Sequence, residues 1–122
     1  FSGNRVTILQ PFGHVPPGSL CLTLGDLRED VADRLHRHFH ALPSVQVVHG
    51  SLLDTDCQAI VSPANSFGDM GGGIDKAIDD FHGGEAQRRV MAAIAEQFLG
   101  ELPVGMGLVV PGFIPTPLGE VF

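Results

Sequence analysis

The sequence predicts an α/β fold, a three-layer α/β/α arrangement around a mostly parallel, mixed central sheet. Three observations predict it. Short β-rich runs alternate with segments whose apolar residues repeat at helical spacing. Two of those helical patterns stop at glycine, and the connections between elements are tight. Strand, helix, strand in that order is the grammar of a parallel sheet with crossover connections.

The elements follow in order. Residues 1–18 read as loops or isolated strands with turns, because Gly and Pro crowd both ends of the chain. "SLCLTLG", Ser19 to Gly25, is a short β-rich run stopped by Gly. In "DLREDVADRLHRHFHAL", Val31, Leu35, Phe39 and Leu42 lie at helical spacing, and charged residues and His occupy the other faces. Asp26 reads as the N-cap of that helix. "SVQVVHG", Ser44 to Gly50, reads as a strand. "CQAIVSPA", Cys57 to Ala64, reads as another, apolar enough to be central.

Ile74, Ala77, Ile78 and Phe81 then mark a helix that Gly83 and Gly84 end. Val90, Ile94 and Phe98, with Met91 and Ala95 beside them, mark a longer one that Gly100 stops. "VGMGLVVPG", Val104 to Gly112, looks like the next buried strand, and residues 111–122 are loop-rich. With 122 residues, 43% of them hydrophobic, the expectation is a single folded domain over 1–122.

Composition narrows the function classes. Fourteen acidic against seven basic side chains leave a formal charge of -7, which disfavours extended contact with a nucleic-acid backbone. A small anion held by backbone N–H groups remains compatible. No apolar run approaches the ~20 residues of a membrane span, and no basic-then-apolar leader opens the chain. The expectation is a cytoplasmic protein without membrane contact. Cys21 and Cys57 lie far apart and read as two reduced thiols. In "HRHFH", His36 and His40 share a helix face, but no carboxylate or thiol in the neighbouring turns completes a metal set. Neither a metal nor a cofactor is expected.

The stretch that carries chemistry is "SPANSFGDMGGGIDKAI", Ser62 to Ile78. In a parallel α/β sheet, ligands bind at the carboxyl ends of strands. The strand through Ala59 to Val61 delivers Asn65 to that rim, the loop from Ser66 to Gly73 follows, and a helix begins near Ile74. Gly71, Gly72 and Gly73 let the backbone approach a ligand and turn N–H groups towards an anion. Asn65 both donates and accepts hydrogen bonds, which suits a sugar hydroxyl. The stretch fits neither GxGxxG nor GxxxxGK[ST]. From the glycines alone, a tight turn in a close-packed sheet is an equal reading. Asp75 is either a partner of the helix dipole or a general base. Asp69 reads as a solvated turn residue, Asp79 and Asp80 as an exposed helix face, and His82 as a C-cap. Phe67 and Phe113 either stack on a ribose or base or anchor their loops.

The run from Val47 to Val110 resembles the macrodomain family. A strand ends in Gly, "AIV" leads to "AN", and a Gly-rich loop with "GGG" leads to a hydrophobic residue, Asp and "AI". "SPANSFGDMGGGID" is similar to the bacterial and yeast-like branch that processes ADP-ribose-1''-phosphate. The resemblance implies that Asn65 contacts the distal ribose of ADP-ribose. It also implies that Gly71, Gly72 and Gly73 wrap the distal ribose and diphosphate, with Ala64, Phe67 and Ile74 beside the ligand. Asp75 matches an acidic position proposed to orient or activate a water near the anomeric carbon.

Two departures stand out. Gly50–Ser51 replaces the family's Gly-Asp, so Ser51 offers the adenine an uncharged group, with Asp54 and Asp56 nearby. The family's second phosphate loop follows the strand near Val109, so the expectation is a domain truncated at its C-terminus unless Pro111 to Glu120 serves instead. The implied function is binding of ADP-ribose or an ADP-ribosylated protein. Hydrolysis of an ADP-ribosyl bond or of ADP-ribose-1''-phosphate, assisted by Asn65 and Asp75, would accompany it. The alternatives are a reader module without chemistry and an interaction domain that has lost the ligand.

Overall fold

The structure is a computed structural model that describes residues 6–63 and 65–111. A three-stranded mixed sheet and three α-helices make it a small α/β protein. The chain divides into two compact units, Phe1–Asp56 and Cys57–Phe122.

The first unit holds the sheet, in the order β1-β3-β2. β2 (Leu22–Asp26) and β3 (Val45–His49) run parallel, in register from Leu22↔Val45 to Asp26↔His49. The crossover between them is α1 (Glu29–Phe39), which packs on both strands. β1 (Thr7–Gln10) adds antiparallel to β3, with an irregularity between Ile8 and Gln10. Val45, Val47, Val48 and Ala32 form the buried core of this unit. Gly25 is a close-approach position: a Cβ there would stand 2.6 Å from Val48 Cγ2.

Gln10 is the polar tie of this unit. Its buried side chain donates through Nε2 to the carbonyls of Phe39 (2.7 Å) and Val45 (3.0 Å), with Leu42 O at 3.4 Å. Those carbonyls border the turn from α1 into β3, so one amide fastens β1 to that turn. Its Oε1 accepts from His36 Nδ1 at 3.0 Å, which places a proton on that ring nitrogen.

Helix ends differ in detail from the sequence expectation. α1 stops at Phe39, and Leu42 lies exposed in the turn before Pro43, a residue that disfavours helix immediately before it. Asp26 is not the N-cap: that residue is Arg28, and Asp26 Oδ1 accepts its N–H at 2.8 Å.

The second unit contains α2 (Gly73–Phe81) and α3 (Glu85–Phe98), which pack on one another. Among the described residues, Ile60, Met70, Ile78, Ala86, Ile94 and Val110 are its buried apolar side chains. As expected, Gly83 and Gly84 end α2, both at positive φ. α3 ends with Leu99 in the left-handed region (φ 59°), followed by Gly100, whose N–H reaches Ile94 O at 3.2 Å. At its start, Arg88 bonds Glu85 and holds that carboxyl below its usual range.

Two expected strands are not formed among the described residues. Cys57 to Pro63 carries only an isolated bridge at Ala59; Ile60 is buried, but Val61 is 87% exposed. The apolar run lacks ladder partners, and Pro63 has no N–H to give to one. In the second case Pro103 to Met106 is a turn, closed by Met106 N–H to Pro103 O at 3.1 Å with Gly105 at φ 84°, as in a type II turn. Val104 and Val109 are exposed there; Gly112 lies outside the described residues.

Gln10→Leu removes the donor shared by Phe39 O and Val45 O and the acceptor of His36. A loss of about 1–3 kcal/mol is expected, read as a lower urea midpoint at unchanged slope. Leu99 is 97% exposed, so Leu99→Gly relieves the left-handed backbone without losing packing. It should raise stability by about 1 kcal/mol in the same assay.

Candidate functional site

Asn65 builds the entry of the loop. Its Oδ1 accepts from the N–H groups of Phe67 and Asp69, both at 3.1 Å, and its Nδ2 donates to Asp69 O at 2.8 Å. The N–H of Gly68 returns to Asn65 O at 3.2 Å. This is the local turn chemistry that Asn performs well, because its amide imitates a backbone unit. One Nδ2 hydrogen remains outside these bonds. Phe67 is 57% exposed, so its ring is not buried as an anchor.

The middle of the loop is pinned to α3. Gly68 has φ 78°, and a Cβ on it would meet Val90, Met91 and Ile94 at 3.1–3.2 Å. Met70 is buried, and its N–H donates to Gln87 Oε1 at 2.7 Å. Gln87 in turn donates its own N–H to Asp79 Oδ1 at 2.8 Å. Asp79, expected on an exposed face, instead caps the first turn of α3, where Gly84 supplies no side-chain cap. Leu102 N–H closes on Ser66 O at 2.7 Å.

After these anchors the chain is bare. Gly71, Gly72 and Gly73 are exposed, and Gly72 brings no side-chain oxygen to the first-turn N–H groups of α2. Between Ser62 and Asp75 the sequence has no Lys or Arg. An anion here would meet backbone N–H groups and the positive end of the helix dipole. Ile74 is half-buried.

Asp75 is the buried carboxylate of the loop–helix junction, with 6% of its surface exposed. Ser62 Oγ donates to its Oδ1. Ser62 opens the stretch singled out in the sequence but carries no role in that reading, Asp79 is read there as an exposed helix face, and Gln87 is not singled out. Ser62 stands 13 residues before Asp75 and Gln87 eight after Asp79, and no local repeat ties such pairs together.

Ser51 belongs to the first unit, where its Oγ accepts Leu53 N–H at 3.2 Å and caps a short 3-10 turn, Leu52–Asp54. Ala64 and Phe113 lie outside the described residues. His82 is the C-cap of α2, its Nδ1 donating to Ile78 O at 2.9 Å. His36 is tied to Gln10, and His40 Nδ1 donates to Arg37 O at 3.0 Å. Among the described residues no group of three metal-binding side chains converges. Lys76 and Asp80 pair on the surface of α2 at 2.6 Å. In the first unit, Arg34, Arg37 and His38 line an open concavity of about 420 Å³ that holds none of the predicted site residues.

Comparison with protein-family models, with curated proteins and with solved structures finds no match to this chain.

Gly68→Ala forces a side chain into the left-handed region against α3. It should destabilise the protein by about 1–2 kcal/mol, measured as a lower denaturation midpoint.

Proposed function

We propose that the chain is a macrodomain-like module that binds ADP-ribose or an ADP-ribosylated protein and hydrolyses an ADP-ribosyl bond or ADP-ribose-1''-phosphate. In this reading the α/β fold is that of a three-layer α/β/α domain, working in the cytoplasm. The observation that carries the proposal is the junction itself: Asn65, then a bare Gly71–Gly73 loop, then Asp75 buried at the first turn of α2. The absence of basic side chains across that stretch agrees with an anion held by backbone N–H groups. No described helix is long and apolar enough to cross a membrane.

The chemistry follows from those groups. The glycine N–H groups and the α2 N-terminus hold the diphosphate, and the remaining Nδ2 hydrogen of Asn65 holds a ribose hydroxyl. Asp75 accepts a proton from a water as its oxygen bonds to the anomeric carbon and the bond to the leaving group breaks. For the phosphorylated substrate the leaving group is phosphate; for a modified protein it is the acceptor side chain. A reader module without chemistry is the second reading. It is favoured by the Asn65 amide, most of whose capacity is spent inside its own loop.

Asp75→Asn keeps the shape and removes the base. The expected result is a 10²–10⁴-fold loss of kcat with ADP-ribose affinity within tenfold by calorimetry. Unchanged turnover of both substrate types contradicts the hydrolytic role. Binding by the wild-type chain without turnover selects the reader. No thermal shift with ADP-ribose, ADP or NAD contradicts both, since ligand at 100 times its dissociation constant adds ~2.7 kcal/mol.

A further inference from the structure

We infer that Ser62 is a positioning residue, which holds the Asp75 carboxylate so that Oδ2 is the oxygen left for a water. This rests on the reading of Asp75 as the water-activating base. A carboxylate as enclosed as Asp75 needs hydrogen bonds where it sits, and it accepts only, so the hydroxyl of Ser62 is the donor.

The choice of partner is the informative part. Asp75 is the third residue of α2, after Gly73 and Ile74. In a capping box the acidic side chain at that position reaches back to the N–H of the N-cap residue, here Gly72. That bond is not formed among the described residues, and the carboxylate is turned to a residue 13 positions upstream. Two consequences follow. The Gly72 N–H stays available to a ligand on the exposed side of the loop. The side chain, otherwise free to choose among its χ1 wells, is held in the one that brings Oδ1 to this hydroxyl.

The same bond ties the segment before Asn65 to α2. The base and the start of the loop that would hold the ribose are therefore set by one contact. Ser62 is half-buried, which keeps its hydroxyl on this partner and away from bulk water.

The test uses Ser62→Ala and Ser62→Thr in the full chain. Kinetics are measured with an ADP-ribosylated peptide and with ADP-ribose-1''-phosphate. In Ser62→Ala, kcat should fall about 10- to 100-fold with KM within twofold, and Ser62→Thr should recover most of the loss. The double variant Ser62→Ala/Asp75→Asn should be no slower than Asp75→Asn alone, because the two residues act as one unit. A readout independent of turnover is the Asp75 side-chain rotamer, from three-bond Hα–Hβ couplings. One rotamer is expected in the wild-type chain and in Ser62→Thr, and averaging in Ser62→Ala. A single rotamer retained in Ser62→Ala overturns the positioning role, and so does additive loss in the double variant. If Asp75→Asn leaves turnover intact, the hydrolytic reading falls while the couplings still decide whether Ser62 orients Asp75.

Discussion

A carboxylate taken out of water has to be hydrogen bonded in place, and in this protein that constraint falls on Asp75. Its position in the first turn of α2 offers a local solution through the helix's own backbone. The structure uses a distant one, the hydroxyl of Ser62. Choosing the distant partner fastens the segment through Ile60 to the start of α2, whose N-cap, Gly72, makes no side-chain cap bond. The open loop between these two points is a product of that choice. Everything proposed for the site depends on the loop being bare while its two ends are fixed.

Fixing the ends takes several modest interactions in series. Asn65 closes the entry with its own amide, Gly68 lies against α3 where no side chain fits, and Met70 hangs its N–H on Gln87. Gln87 passes the load to Asp79 on α2, which also caps α3. Apart from the Gly68 packing contact, each is a neutral or singly charged hydrogen bond of ordinary length, worth about 1 kcal/mol alone. Together they order a segment that three consecutive glycines would otherwise leave with high conformational entropy. Gly71–Gly73 bring no side chain to such an anchor, although Gly72 O accepts Lys76 N–H at 3.2 Å, and they are the part expected to approach a ligand.

Much of the helical content was legible in the sequence because amphipathic periodicity is a local signal. Ile74, Ala77, Ile78 and Phe81, and Val90, Ile94 and Phe98, mark their helices, and Gly83, Gly84 and Gly100 mark the ends. The parallel pair of strands around α1 was legible for the same reason. The segments around Ile60 and Val109 were not, since an apolar run of four or five residues reports burial only when a neighbouring strand is there to pair with it. Pro63 and the turn at Pro103–Met106 were the local evidence against them. At the candidate site, the order Asn65, glycines, Asp75 was visible as residue types. Ser62, Gln87 and Asp79 became visible only through contacts spanning 8 to 17 residues, which no local spacing encodes.

The central claim is that the Asn65–Asp75 junction is an ADP-ribose site. Its most direct test is titration of the ¹⁵N-labelled chain with ADP-ribose, followed residue by residue through the backbone amide resonances. Saturable shifts concentrated on Asn65 to Asp75, largest at the Gly71, Gly72 and Gly73 amides, are the predicted result. Shifts absent at saturating ligand, or centred instead on Arg34, Arg37 and His38, would contradict the account.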